Sequence, residues 1–66
     1  MRIFVNGEPR ELPAGATVAD AVALVTAAAA GVAAALNDEV VGRSRWTATA
    51  LADADRLEVL TAVQGG

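Results

Sequence analysis

The sequence predicts an α+β fold, a mixed sheet of four to five strands with one crossing helix packed on one face. Three observations point there. Apolar residues alternate with others at both ends of the chain, the pattern of strands with one buried face. An Asn-Gly pair follows the first alternation, a strong hairpin signal. Between the two ends, one apolar stripe with helical spacing begins behind a capping pair.

Each element follows in order. Met1, Ile3 and Val5 alternate with Arg2, Phe4 and Asn6. Asn6-Gly7 tolerates the positive φ angles that a two-residue hairpin turn requires. Residues 8–12 form the returning strand, and Pro9, which cannot donate to a ladder, assigns it to an edge. Residues 13–16 are a loop. Thr17 is a good helix N-cap. Asp20 sits three residues on, placed to close a capping box and to meet the positive end of the helix dipole. Val18, Ala21, Val22 and Val25 fall at i, i+3, i+4 and i+7, so a helix begins at Val18. Alanine propensity carries it to about Ala28, with Gly31 available as a C-cap. A strand over 32–37 turns at Asn37-Asp38 into "EVVGR", a second short strand. Residues 43–51 read as an irregular connection around a helical turn. Trp46 either anchors that connection by burial or offers a stacking surface. Asp53-Ala54-Asp55 is a turn. Residues 56–62 are the final strand, with Leu57 and Val59 facing one way. One core closes over these elements if the last strand lies parallel to the first, with the helix as a right-handed crossover. That is the β-grasp arrangement, with the domain over residues 1–62 and a flexible tail over 63–66.

Composition narrows the function. The chain has 66 residues, with no cysteine and no histidine. Tyrosine is absent too. A self-sufficient active site would need carboxylates, arginines and hydroxyls alone, so an enzyme is not expected. The net charge of −3 opposes nucleic-acid binding, which needs a basic face. All five basic residues are arginines, at positions 2, 10, 43, 45 and 56, a pattern that fits the codon usage of a GC-rich bacterial genome. No side-chain amine is present to accept an acyl group. No leader is expected, because Arg2 leads straight into a strand pattern. Residues 18–36 are apolar except for Asp20 and Thr26. A membrane span wants about 20 mostly apolar residues, and this run is broken by an acid and by Gly31. No span is expected, and a cytoplasmic location is.

The remaining signals gather at the C-terminal end. If Ile3, Val5, Leu57 and Val59 face the helix, then Phe4, Leu60 and Ala62 face away from it. An apolar patch can mark a partner surface, whereas scattered apolar surface residues are ordinary. Leu60 and Ala62 lead directly into the tail, which favours the partner reading, and Val63 and Gln64 continue it. Residues 63–66 reach at most about 13 Å when extended. Gly65 and Gly66 lack a Cβ, so the walls of a narrow site can close on their backbone. The tail then presents one α-carboxylate, inert until its oxygen becomes a leaving group. ATP can supply that activation through an acyl-adenylate. The sequence has no P-loop, so activation falls to a separate enzyme, and the chain itself is expected to bind no cofactor and no metal.

Three stretches together, "MRIFVNGE", "ALNDEVVGRSRW" and "DRLEVLTAVQGG", resemble the ubiquitin-like sulfur carriers along the whole chain, above all the thiamine-biosynthesis branch, the ThiS family. The resemblance implies that Gly66 is adenylated by a ThiF-type enzyme and converted to a thiocarboxylate by a sulfur donor protein. A ThiG-type thiazole synthase would then receive the sulfur. Gly65 would give clearance, and Phe4, Leu60 and Ala62 would dock. Two positions depart from the family pattern: Gly42 replaces the proline of "VVPR", and Ala54 replaces the glycine of "DGD". Other carriers, including the small subunit of molybdopterin synthase and carriers for cysteine synthesis, share the tail. So does a ubiquitin-like protein modifier.

Overall fold

The structure, a computed structural model, describes residues 1–27 and 31–61. Five strands form one mixed sheet around a short helix. In chain order they are β1 (Arg2–Val5), β2 (Glu8–Glu11), α1 (Val18–Val25), β3 (Val32–Leu36), β4 (Glu39–Val41), a 3₁₀ segment (Arg43–Ala48) and β5 (Arg56–Thr61). The sheet order is β2-β1-β5-β3-β4. β1 and β5 are parallel, and every other neighbouring pair is antiparallel. This is the β-grasp arrangement, with the last strand at the centre of the sheet.

The two hairpins follow from their turn residues. Asn6 and Gly7 both adopt positive φ, at 52° and 83°, as a two-residue turn matched to strand twist demands. Asn37 and Asp38 repeat the geometry at 50° and 71°. Asn37 therefore belongs to the turn, and β3 stops at Leu36, one residue short of the expected strand. Pro9 pairs with Phe4 on β2, an edge strand. Hydrogen-bonded and non-hydrogen-bonded pairs alternate in such a ladder. Leu12 donates to the Met1 carbonyl at 2.9 Å, and the Met1 amine donates to the Leu12 carbonyl. Counting from that pair, Phe4 and Pro9 form a non-hydrogen-bonded pair. The missing N–H of Pro9 thus faces the open edge, where it removes a donor that another chain could use.

Thr17 caps α1 as expected. Its hydroxyl accepts from the Asp20 N–H, and its own N–H donates to the Asp20 carboxylate at 2.9 Å. Such a cap contributes about 1 kcal/mol. The helix ends at Val25, with Thr26 extended at φ −150° and ψ 144°, earlier than the expected Ala28. Val18, Ala21 and Val22 are buried, but Val25 is already 39% exposed. The buried stripe ends at Val22, and alanine propensity does not sustain a helix without packing. Gly31 is consequently no helix cap; it holds a positive φ of 75° immediately before β3.

The core lies between α1, the 3₁₀ segment and one sheet face. Ile3, Val18 and Leu57 are its fully buried large side chains, each contributing about 1.5–3 kcal/mol by burial. Val5, Ala34 and Val59 lie beside them on the sheet. Trp46 is 5% exposed, and its indole N–H donates to the Val41 carbonyl at 2.9 Å. Burial is therefore its role, and the ring is not free for stacking. Among the described residues no helix is long and apolar enough to cross a membrane. The apolar run over 18–36 is divided between α1 and β3.

The two departures from the family pattern have opposite fits. Ala54 is held at φ 70°, with its N–H donating to the Arg2 carbonyl at 2.7 Å. A left-handed conformation costs a residue with a Cβ roughly 1–2 kcal/mol. Gly42 sits at φ −62° and ψ 146°, with nothing within 4 Å of a Cβ built there. That φ is proline's own. We expect Ala54→Gly to raise unfolding stability by about 1 kcal/mol, read from the urea midpoint. An unchanged or lower midpoint would remove the strain assignment. Gly42→Pro should add about 0.5 kcal/mol by restricting the unfolded chain; a loss of stability in the same titration would contradict it.

Candidate functional site

β5 is held from both flanks. On one side the Phe4 N–H donates to the Asp55 carbonyl and the Asn6 N–H to the Leu57 carbonyl, both at 2.9 Å. The Asn6 side chain then extends this pairing past the end of β1. Its Oδ1 accepts from the Val59 N–H at 2.8 Å, and its Nδ2 donates to the Val59 carbonyl at 3.2 Å. On the other side, β3 pairs with β5 over five positions, from Leu36 with Leu57 to Val32 with Thr61. Asn37 supplies a second clip: its Oδ1 accepts from the Arg56 N–H at 3.0 Å, and its N–H donates to the Arg56 carbonyl. Each hairpin thus spends its asparagine twice, on a positive φ and on β5.

This construction holds β5 along its described length. Thr61 is the last described residue, and Val32 pairs it at the end of the sheet. Ala62, Val63, Gln64, Gly65 and Gly66 lie outside the described residues, so those candidates remain as the sequence reading left them.

The sheet face away from α1 carries the docking candidates that can be placed. Leu57 and Val59 are buried, whereas Leu60 is 69% exposed. Phe4 is half-buried. It lines a hollow of about 430 Å³ together with Gly7, Ala54, Arg56, Leu57 and Glu58. Phe4 and Leu60 therefore lie on the outer face as expected. Val40 is an additional member: it is 79% exposed, and it pairs with Ala35 beside Glu58. Ala33, also exposed, pairs with Leu60. The sequence reading recognised the strand at "EVVGR" but assigned no faces to it. The signal was present, since Val41 packs on the core and Val40 must then point away. Among the described residues no cluster of acids could hold a metal ion.

The five-stranded mixed sheet and its one helix define a ubiquitin-like β-grasp domain. The ThiS family model matches residues 3–66, and the chain belongs to the ThiS family. Two solved structures of a thiamine biosynthesis protein (ThiS) from Geobacter metallireducens are similar to it. The crystal structure is 35% identical with a TM-score of 0.80, and the match covers all of both chains. The NMR structure is 32% identical with a TM-score of 0.75, covering all of this chain and 88% of that one. No curated protein sequence gives a significant match.

Proposed function

We propose that this chain is a sulfur carrier in thiamine biosynthesis, with Gly66 as its reacting residue. The observation that carries the reading is the placement of β5. The most firmly held strand ends at Thr61, and five residues later the sequence reaches Gly66. Family membership and the names of the two similar structures support the pathway.

The chemistry divides between the chain and its partners. A ThiF-type enzyme binds ATP, and a Gly66 carboxylate oxygen attacks the α-phosphorus as pyrophosphate leaves. The resulting acyl-adenylate makes AMP the leaving group. The terminal sulfur of a persulfide on a donor protein then attacks the carbonyl carbon and AMP departs; a thiol next attacks the donor's cysteine sulfur, forming a disulfide and releasing the thiocarboxylate on Gly66. A ThiG-type thiazole synthase takes the sulfur as the acyl C–S bond breaks, and water supplies the oxygen that restores the carboxylate. In this cycle the chain is a cosubstrate in the cytoplasm and binds no cofactor of its own. Residues 1–62 are the handle and 63–66 the reactive tail. Gly65 lets the partner's walls approach the backbone, while Phe4, Leu60, Ala62, Val63 and Gln64 form the docking surface.

Intact mass after incubation with the cognate activating enzyme, ATP and a sulfide source tests the reading. One oxygen should be replaced by one sulfur; adducts on other proteins would instead identify a modifier. Appending one residue after Gly66 should abolish sulfur transfer while the thermal midpoint stays at the wild-type value, and unimpaired transfer from the extended chain would sink the assignment of Gly66. Leu60→Glu should weaken binding to the activating enzyme about tenfold or more with little change in thermal stability, because Leu60 is 69% exposed. Wild-type affinity in a titration would remove Leu60 from the docking surface.

A further inference from the structure

Both hairpins turn on an asparagine, but only Asn6 is followed by glycine. Asn6 and Gly7 are exposed, and a Cβ built on Gly7 meets nothing within 4 Å. The Gly7 N–H has no hydrogen-bond partner among the described residues. An asparagine followed by so uncrowded an amide can react with it. The Gly7 nitrogen gives its proton to water and attacks the Asn6 Cγ. The Cγ–Nδ2 bond breaks, ammonia leaves, and a cyclic succinimide remains. Water then opens the ring. Attack at Cγ leaves an aspartate in place of Asn6. Attack at the backbone carbonyl leaves an isoaspartate, which adds a carbon to the main chain.

The Asn6 carboxamide is already engaged elsewhere. Its Oδ1 accepts from the Val59 N–H at 2.8 Å, and its Nδ2 donates to the Val59 carbonyl at 3.2 Å. The Asn6 N–H donates to the Leu57 carbonyl at 2.9 Å. Backbone and side chain thus both fasten this residue to β5. Cyclisation onto Gly7 requires the two side-chain bonds to open first, a local opening of the hairpin end.

The second hairpin supplies the contrast. The Asn37 Nδ2 donates to the Asp55 carboxylate at 3.0 Å, and its Oδ1 accepts from the Arg56 N–H at 3.0 Å. Asn37 is therefore held much as Asn6 is. The amide that would attack it belongs to Asp38, whose side chain crowds the approach. Only at Asn6 does a residue without a side chain follow.

We propose that Asn6-Gly7 is a site of spontaneous deamidation, that the bonds to Val59 set its rate in the folded domain, and that the reaction unfastens β5 on this flank. Either product lacks the Nδ2 donor. A carboxylate here still accepts from the Val59 N–H, but it sets an acceptor against the Val59 carbonyl. The isoaspartate also lengthens a turn whose two residues fix the β1–β2 register. The product cannot remake the clip, so each opening that leads to reaction is permanent. The chemistry needs only solvent water and owes nothing to the carrier reading.

The test follows the full chain at mildly alkaline pH, folded in buffer and unfolded in guanidinium chloride, by peptide mass mapping of the exchange of NH2 for OH. Asn6 should react in the unfolded chain and about tenfold or more slowly in the folded one. Asn37 should react more slowly than Asn6 in both. Hydrogen exchange then reads the consequence. The Val59 N–H should exchange about tenfold or more faster in the purified product and in Asn6→Asp than in the wild-type chain. The Arg45 N–H, bonded to the Gly42 carbonyl, should keep its wild-type rate. Asn6→Gly suits the positive φ and removes the carboxamide, so it should quicken Val59 exchange equally if Asn6→Asp does not fold. Equal rates in folded and unfolded chains would overturn the guarding role of the Val59 bonds. No reaction at Asn6 in the unfolded chain, or equal reaction at Asn37, would overturn the site. Wild-type exchange at Val59 in the product would overturn the release of β5.

Discussion

The parallel pairing of β1 with β5 is the contact on which the rest depends. It joins residues from opposite ends of the chain, such as Val5 and Leu57. The chain between them is closed into one long loop when the two strands meet. Once they meet, α1 has a continuous apolar surface of Ile3, Val5, Leu57 and Val59 to cover. β2 and β4 then complete the sheet as edges. The entropy of closing so long a loop is offset only by this shared core. Small substitutions at the β1–β5 seam consequently act on the whole domain and not on one strand.

Much of this architecture is legible in residue type because local and tertiary requirements agree. Asn6-Gly7 and Asn37-Asp38 announce turns through backbone conformation alone. Thr17 and Asp20 announce a helix start by mutual hydrogen bonding, and Ile3 and Val5 announce their buried face by alternation. The end of α1 was not legible. The alanines after Val25 carry strong helix propensity and the stop signal at Gly31 comes later, whereas the helix ends where its buried stripe of Val18, Ala21 and Val22 runs out. The asparagine clips were also invisible, since they depend on which backbone lies across from each turn. Val40 escaped for a related reason: a three-residue strand has too little pattern to reveal its faces.

The candidate site residues show a similar division. Gly65 and Gly66 stand out in the sequence because nothing in a packed domain needs them. Leu60 follows from the alternation along β5. Partnering of charge emerges only in the structure, where Arg2, Arg10 and Arg56 pair with Glu11, Glu8 and Asp38. Those three ion pairs are all substantially exposed and contribute little to stability.

The double clipping of β5 has a mechanical consequence. A partner that draws the tail into a narrow channel pulls along the axis of this strand. Its hydrogen bonds to β1, to β3 and to the two asparagine side chains lie across that axis. A load at Thr61 is therefore shared among them in shear, whereas a peeling force would break them one after another. β5 is thus anchored against a pull along its axis, and a load applied at Thr61 does not by itself unravel the sheet.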